Sequence, residues 1–388
     1  MKIRNKTVLV YDIEVFQNIF HCAVKNTETN EIHLFEISSR KNQLEELVKF
    51  FKQFNNIEGS WNQSYTTDYQ FNTDIIFAGY NNIHYDNPIV NYMIDYYEKL
   101  IVHPYWRICS SIYNFSKVIV NSKEGEEGLW KEWKYQQWFE SFDILTMLYS
   151  TQLRVGLKEM QVTMQYKNVE EFVVDWKQDL PEKDMDKLIL YNINDVESTE
   201  ELLYRCKSDL ELRVSIEQEY KINCLSLDGV NTGMKILEQE YIRHTGITKD
   251  KLEQLRSPCD QIDLEKVIFP WIKFNSPVLQ NVLKEMKQLH NVSPGRKGYE
   301  NTFVFGDMKI TVGVGGIHGD CGIEIIKPKE NELLLDSDVS SLYPSMIIEH
   351  DLYPPHLGKE FLETYSNIRT RRLIAKKNKI KVIDKVYA

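Results

Sequence analysis

Residues 7–14 read Thr7-Val8-Leu9-Val10-Tyr11-Asp12-Ile13-Glu14, and this stretch decides the fold. Its β-branched and aliphatic first half reads as a buried strand, and its end carries two carboxylates. Side chains two apart on a strand share one face, so Asp12 and Glu14 stand together. Two acids on one face repel each other unless a cation sits between them, and hard divalent cations prefer such oxygens. Taken alone, D-x-E is also what two solvated acids look like where a strand leaves its sheet.

Outward from that strand, Glu31–Ile37 is suited to pair beside it. Leu44, Leu47, Val48, Phe51 and Phe54 keep helical spacing, which predicts an amphipathic helix over Asn42–Phe54. A second buried strand is expected over Asp74–Gly79, with Ile75-Ile76-Phe77-Ala78 at its centre. A loop with Asn81, Asn82 and His84 leads to Asp86, and Pro88 suits the first turn of a helix that continues from Ile89 to Leu100. Phe139–Leu145 reads as a strand and Pro181–Cys206 as a long helix. Strands alternating with helices around one sheet predict an α/β domain over residues 1–215. Residues 216–305 read as a mostly helical connector, with a loop over Asn291–Gly298. Strand-like sequence returns over Phe303–Gly316, where Gly313, Gly315 and Gly316 cluster, and again over Leu333–Asp338.

The 388 residues suffice for two domains with sizeable cores. With 42% apolar and 27% charged residues, the chain is too apolar to be disordered. A net charge of −10 excludes a uniformly basic, histone-like DNA binder, but not an enzyme that gathers carboxylates around metal. The end of the chain runs the other way: Arg369, Arg371, Arg372, Lys376, Lys377, Lys379, Lys381 and Lys385 face one acid, Asp384. The six cysteines include no C-x-x-C pair, which speaks against a zinc ribbon or a disulfide scaffold and for reduced core thiols in a cytoplasmic protein. No run of about 18 apolar residues offers a membrane span, and no apolar signal region follows Met1.

Two further segments bear on the acids at the first strand. Asn81-Asn82-Ile83-His84-Tyr85-Asp86 follows the second strand and opens a helix, where Asp86 by itself suits an N-cap. Tyr191-Asn192-Ile193-Asn194-Asp195 lies on the long helix, and Tyr191 and Asp195, four apart, share a face.

Together these give D-x-E, then N-x-x-x-Y-D, then Y-x-x-x-D, in order. The set resembles the three exonuclease motifs of the DEDD superfamily in its tyrosine subtype, as in the proofreading domain of family B DNA polymerases. The resemblance implies a ribonuclease H-like fold and two-metal phosphodiester hydrolysis with Mg²⁺ or Mn²⁺. It implies that Asp12 bridges both ions, that Glu14 and Asp195 complete the site of the ion holding the attacking water, and that Asp86 serves the other. Tyr191 would orient the water, and Asn81, ahead of Asn82, would touch the frayed 3′ end of the primer strand. Tyr85 fits the aromatic slot of the second motif and would pack or stack on a base. Lys158, in Gly156-Leu157-Lys158-Glu159-Met160, resembles a lysine of protein-primed polymerases that touches the scissile phosphate. Asp143 ends a strand near the same sheet and reads as structural, with a substrate role as the alternative. His84 reads as a loop residue.

A second acid cluster lies in Asp336-Ser337-Asp338-Val339-Ser340-Ser341-Leu342-Tyr343-Pro344-Ser345-Met346-Ile347. It reads as a strand ending in carboxylates, a turn, and a helix whose free backbone N–H groups suit a triphosphate. The string D-x-x-S-L-Y-P-S is similar to motif A of family B polymerases. That implies metal binding by Asp338, exclusion of a 2′-hydroxyl by Tyr343, and backbone contacts from Ser341 and Leu342 to a deoxynucleotide. Val312-Gly313-Val314-Gly315-Gly316-Ile317-His318-Gly319 resembles the Y-x-G-G region that touches template DNA, with Gly315 and Gly316 as the matching glycines. Val312 or Gly313 stands where the tyrosine would be.

The expected architecture is therefore α/β: a ribonuclease H-like 3′→5′ exonuclease domain (1–215), a helical connector (216–305), and an incomplete polymerase palm leading towards the fingers (306–388). No K-x-x-x-N-S-x-Y-G fingers motif and no D-T-D pair occurs in the chain. The expectation is exonuclease competence without primer extension by this chain alone, in the host cytoplasm if the gene is a phage's. A fragment, a split polymerase with a second subunit carrying fingers, motif C and thumb, and a decayed gene all fit. The expected partners are single-stranded 3′ ends, primer-template DNA and deoxynucleotides, with a terminal protein as a further candidate in a protein-primed system. Two other readings compete: a stand-alone DEDD exonuclease, and a non-catalytic DNA-binding or assembly subunit.

Overall fold

A computed structural model describes residues 1–55, 73–122, 138–149, 153, 155–255, 259–294, 298–313, 316–339 and 341–378. The chain divides into two compact units, one of Met1–Glu240 with the residues from Asn367 onward, the other Tyr241–Ser366. Both are mixed α/β.

The first unit is built on β1 (Lys2–Ile3), β2 (Lys6–Val15), β3 (Phe20–Asn26), β4 (Ile32–Ile37), β5 (Ile75–Gly79) and β6 (Ser141–Asp143). The sheet order is β4-β3-β2-β5-β6, and β1 pairs with β2. β2, β3 and β4 form an antiparallel meander, while β5 and β6 run parallel to β2. The expected strand at 31–37 therefore pairs with β3 and not with β2. The interposed β3 carries His21 and Lys25 among its apolar residues, so its sequence alternates poorly.

Helices α1 (Leu44–Lys52), α2 (Asp86–Asp95), α3 (Tyr97–Leu100) and α4 (Tyr105–Asn121) come next in the chain. They are followed by α5 (Ile144–Leu148), α6 (Leu157–Thr163), α7 (Glu182–Arg205), α8 (Lys207–Tyr220) and α9 (Gly229–Thr245). Alternation along β2 assigns its two faces. Leu9, Tyr11 and Ile13 join the core made with α1, α2 and α4, where Phe51, Phe77 and Phe139 pack around Tyr11. Val8 and Val10 join the opposite core, with Ile76, Phe142, Met160, Val196 and Leu203. Asp12 and Glu14 continue the Val8–Val10 row, and α7 packs across β2 and β3 on that face.

In the second unit the strand-like stretch over Phe303–Gly316 forms a hairpin, β7 (Glu300–Phe305) and β8 (Met308–Gly313), joined through Gly306 at φ +62. A left-handed turn residue there costs glycine nothing, which is why the chain reverses. β9 (Gly316–Asp320) pairs with β8. The strand expected over Leu333–Asp338 does not form. That segment has no regular secondary structure, and Leu333, Leu334 and Leu335 are exposed. Its apolar triplet has the composition of a buried strand, but among the described residues no neighbouring strand satisfies its backbone. α10 (Lys249–Gln254), α11 (Leu264–Val267), α12 (Pro277–Met286), α13 (Leu342–Glu349) and α14 (Glu360–Lys377) complete the chain.

Among the described residues no helix is long and apolar enough to cross a membrane. All six cysteines are free thiols, with Cys22, Cys109, Cys206 and Cys224 buried and Cys259 and Cys321 exposed.

Candidate active site

The acids gather at the C-terminal ends of the parallel strands, the end of an α/β sheet that ordinarily receives ligands. The pairing of β5 with β2 stops at Ala78 opposite Val10. Gly79 follows, paired with Asp143 of β6, and a Cβ there would stand 2.7 Å from that of Asn82. The Ile13 N–H, left without a strand partner on that side, donates instead to Asp86 Oδ1 at 3.1 Å. Asp86 thus reaches β2 from the first turn of α2, where Tyr85 and not Asp86 holds the N-cap position.

α7 supplies the opposite wall. Its sheet-facing stripe starts apolar with Met185 and Leu188, turns polar with Asn192 and Asp195, and returns to apolar at Leu202. The polar interval lies where Asp12 and Glu14 end the sheet row. Asn192 Nδ2 donates to Asp12 Oδ2 at 2.5 Å, and its Oδ1 meets His21 Nδ1 at 2.8 Å. With its amide N–H given to Asp12, Asn192 turns its oxygen to His21, and the imidazole carries its proton on Nδ1. His21 and Asn192 are both fully buried.

Asp195 is held from α6. Lys158 pairs with Asp195 Oδ1, and Gln161 Nε2 donates to the same oxygen at 3.0 Å and to Ser198 Oγ at 2.7 Å. The Lys158 ammonium lies 4.2 Å from the centroid of the Tyr191 ring, and Tyr191 helps to offset the raised pKa of Asp195. The resemblance-based residue Lys158 therefore stands beside the acids in space.

Burial raises all four carboxylates, and each feels its neighbours. Asp12 is pushed well above the carboxylate range by desolvation and then by the charges of Asp86, Glu14 and Asp195. Glu14 rises to about 8, by desolvation and then the charges of Asp195 and Asp86. Asp86 rises to about 7 by desolvation, eased by the Ile13 N–H. Asp195 is raised by burial and pulled back by Lys158, Gln161 and Tyr191. Tyr191 is raised by burial and by the acids around it, so its hydroxyl stays a donor.

The four acids lie near enough for Asp12 and Glu14 to feel the charges of Asp86 and Asp195, without closing on one point. Among the described residues, the only three metal-capable side chains with ligand atoms all within 4.8 Å of one another are Asp263, Glu265 and His290, in the second unit. There His290 Nδ1 meets Asp263 Oδ1 at 3.0 Å on the surface, an ordinary exposed ion pair. Of the four acids, Asp12, Asp86 and Asp195 are each turned to a donor of their own, respectively Asn192, Ile13 and Lys158 with Gln161. The donor set nevertheless suits hard divalent cations: four carboxylates, mutually repelling, with Lys158 as the one ammonium paired into the set.

Asp143 takes its structural role. It is fully buried, accepts from the N–H groups of Asn81 (2.9 Å), Ile83 (3.2 Å) and Leu145 (2.9 Å), and so caps α5 while pinning the 81–83 loop. Asn81 sits there in the left-handed region at φ +65. Asn82 is buried inside and bonds Asn87, so of the two asparagines Asn81 is the more exposed.

The residues of the second acid cluster are not gathered into a site. Asp336 and Asp338 are exposed on the irregular segment, Tyr343 is 70% exposed and Leu342 44% exposed on α13, and Ser341 precedes α13 at φ +54. Gly316 opens β9 at φ +139. Gly315 and Ser340 lie outside the described residues, as do Lys379, Lys381, Asp384 and Lys385 of the basic tail.

Reading the sequence for acids alone passes over His21, Asn192 and Gln161. The available signal was polarity out of place, an asparagine and a glutamine on helix stripes that pack inward and a histidine on a central strand.

No family model, curated protein or solved structure matches this chain.

Proposed function

We propose that the first unit is a metal-dependent 3′→5′ exonuclease acting on single-stranded DNA ends. The observation that carries this is the meeting of Asp12 and Glu14 from β2, Asp86 from α2, and Tyr191 and Asp195 from α7, three distant segments whose order matches the DEDD motifs. The mixed sheet with helices on both faces is compatible with the ribonuclease H-like fold that the resemblance implies. When bound, two ions of Mg²⁺ or Mn²⁺ would stabilise the attacking and leaving oxygens of an in-line displacement. Asp12, Glu14, Asp86 and Asp195 would hold them.

The protein's own contributions follow from the geometry. Tyr191, kept protonated by burial and the acids around it, would orient the attacking water. Lys158 offers the nearest ammonium to an incoming phosphate. Asn81, whose backbone N–H is held by Asp143, would touch the 3′ end, as the resemblance implies. Asn192 keeps Asp12 from turning towards its like-charged neighbours.

The wider assignment to a family B DNA polymerase acting in replication rests on D-x-x-S-L-Y-P-S, with Asp338 and Tyr343 as its metal and sugar contacts. It is proposed on sequence resemblance. Deoxynucleotide incorporation on a primer-template, reconstituted with a polypeptide supplying fingers and the D-T-D pair, is its measure.

The nuclease is tested with a 5′-labelled single-stranded oligonucleotide in Mg²⁺ or Mn²⁺. The expected result is a ladder shortening from the 3′ end that vanishes in chelator and in Asp12→Ala. An intact oligonucleotide, or a ladder unchanged in Asp12→Ala, overturns the assignment.

A further inference from the structure

Beside the acids lies a groove of about 410 Å³ lined by Glu14, Tyr85, Phe172, Val174, Trp176 and Tyr191 among others. Its outer wall is the segment 166–181, which has no regular secondary structure yet is firmly attached. Asn168 Nδ2 donates to Asn194 Oδ1 at 3.1 Å. At the far end Asn18 exchanges two hydrogen bonds with the backbone of Leu180, both 2.9 Å. Between these anchors Phe172, Val174 and Trp176 are two residues apart and all line the groove, while Val173 between them is 86% exposed. The Val174 N–H donates to the Phe172 carbonyl at 3.1 Å, a γ-turn that brings the alternate apolar side chains to the groove while Val173 faces outward.

The rings are accompanied by cations. Phe172 leans on Tyr191 with centroids 5.5 Å apart, and Lys158 lies over that tyrosine at 4.2 Å. Trp176 is 38% exposed, packs on Tyr113 at 6.0 Å and has Lys177 over it at 5.7 Å, while Lys117 lies over Tyr113 at 5.0 Å. Lys177 is an exposed side chain on a flexible stem, free to exchange the ring face for a phosphate. In a chain of net charge −10, aromatic faces flanked by lysines and ending at an acid pocket match one ligand chemistry well: unpaired bases on a phosphate backbone.

We propose that Phe172 and Trp176 form a stacking wall for the last unpaired bases of a DNA 3′ end, with Lys177 and Lys117 meeting their phosphates. This rests on the exonuclease reading and names the residues that select a single strand for it. A base-paired end presents no free face to the wall.

The test measures binding of 5′-fluorescein-labelled 12-mers to the full chain by anisotropy in chelator, so that nothing is cleaved. One oligonucleotide has ordinary 3′-terminal thymidines; the other has two abasic residues there at equal charge. Trp176→Ala should weaken binding of the ordinary 12-mer about tenfold, and Trp176→Phe should restore most of it. The abasic 12-mer should bind the parent protein about as weakly and be indifferent to Trp176→Ala. Equal binding of both oligonucleotides by the parent, an unaffected Trp176→Ala, or an equal loss for both oligonucleotides overturns the wall. Mn²⁺-dependent degradation by the parent is scored separately. If it occurs while Trp176 proves irrelevant, only the wall falls; if it fails while Trp176 reads bases, the nuclease falls and the binding groove stands.

Discussion

Asn192 donates its side-chain amide to Asp12 Oδ2 at 2.5 Å, and is itself fixed by the buried ring of His21. One oxygen of the Asp12 carboxylate is thereby held by the protein. Such outer partners commonly contribute 10–100-fold to metal affinity or activity. Asn192→Leu should therefore lower kcat for single-stranded DNA about 10–100-fold with little change in KM. Steady-state kinetics with a thermal-melt control check this. An unaltered kcat in a folded variant would remove the positioning role.

His21 gives a pH dependence that can be isolated. Burial lowers its folded pKa to about 4 from the ordinary 6.5, against the smaller pull of Asn192. Between those values the unfolded chain binds the proton and the folded chain does not, so stability is full above 6.5 and falls as pH drops towards 4. The shift corresponds to about 3 kcal/mol. Urea midpoints at pH 7 and pH 4.5 should converge less in the parent than in His21→Gln, whose stability loses this part of the slope. Identical slopes would contradict it.

Much of this fold is legible in the sequence, and the illegible parts share a cause. β2, β5 and α7 are long or strongly patterned, and their acids stand at element ends where solvent and chemistry meet. β3 is not legible, because its strand character comes from pairing on both sides and its polar His21 is satisfied only by Asn192, 171 residues away. The second acid cluster shows the converse. Leu333-Leu334-Leu335 has a strand's composition, but a strand needs a partner, and the segment stays open. The motif residues were found as types in order; the donors that turn each carboxylate had to be seen in space.

Asp143 serves the site without touching it. Its carboxylate ties the loop of Asn81 and Ile83 to the start of α5. Asp143→Ala should cost about 3 kcal/mol, since hydrogen bonds to a charged group are each worth about 1.5–3 kcal/mol before the backbone finds water. It should also expose the 80–86 loop to proteolysis. Chemical denaturation and limited digestion report the two effects, and a loss below about 1 kcal/mol would contradict the pinning.

Lys158 is the ammonium set into four carboxylates, and its partner Asp195 is buried. Lys158→Met should lower the melting stability of the metal-free protein by about 1–2 kcal/mol, a discounted value for a pair with one partly exposed member. Mn²⁺ should recover most of that loss, because a bound cation supplies the missing positive charge. A melting loss that Mn²⁺ leaves untouched would separate Lys158 from the acid pocket.

The central claim is that Asp12, Glu14, Asp86 and Asp195 act together as a seat for two divalent cations. Calorimetric titration of the chain with Mn²⁺ tests it most directly. Two ions per chain are expected in the parent and loss of both in Asp12→Ala, with the second-unit set Asp263, Glu265 and His290 contributing neither. A parent that takes up no Mn²⁺ at millimolar concentration, or an Asp12→Ala variant that binds as many ions as the parent, would contradict it.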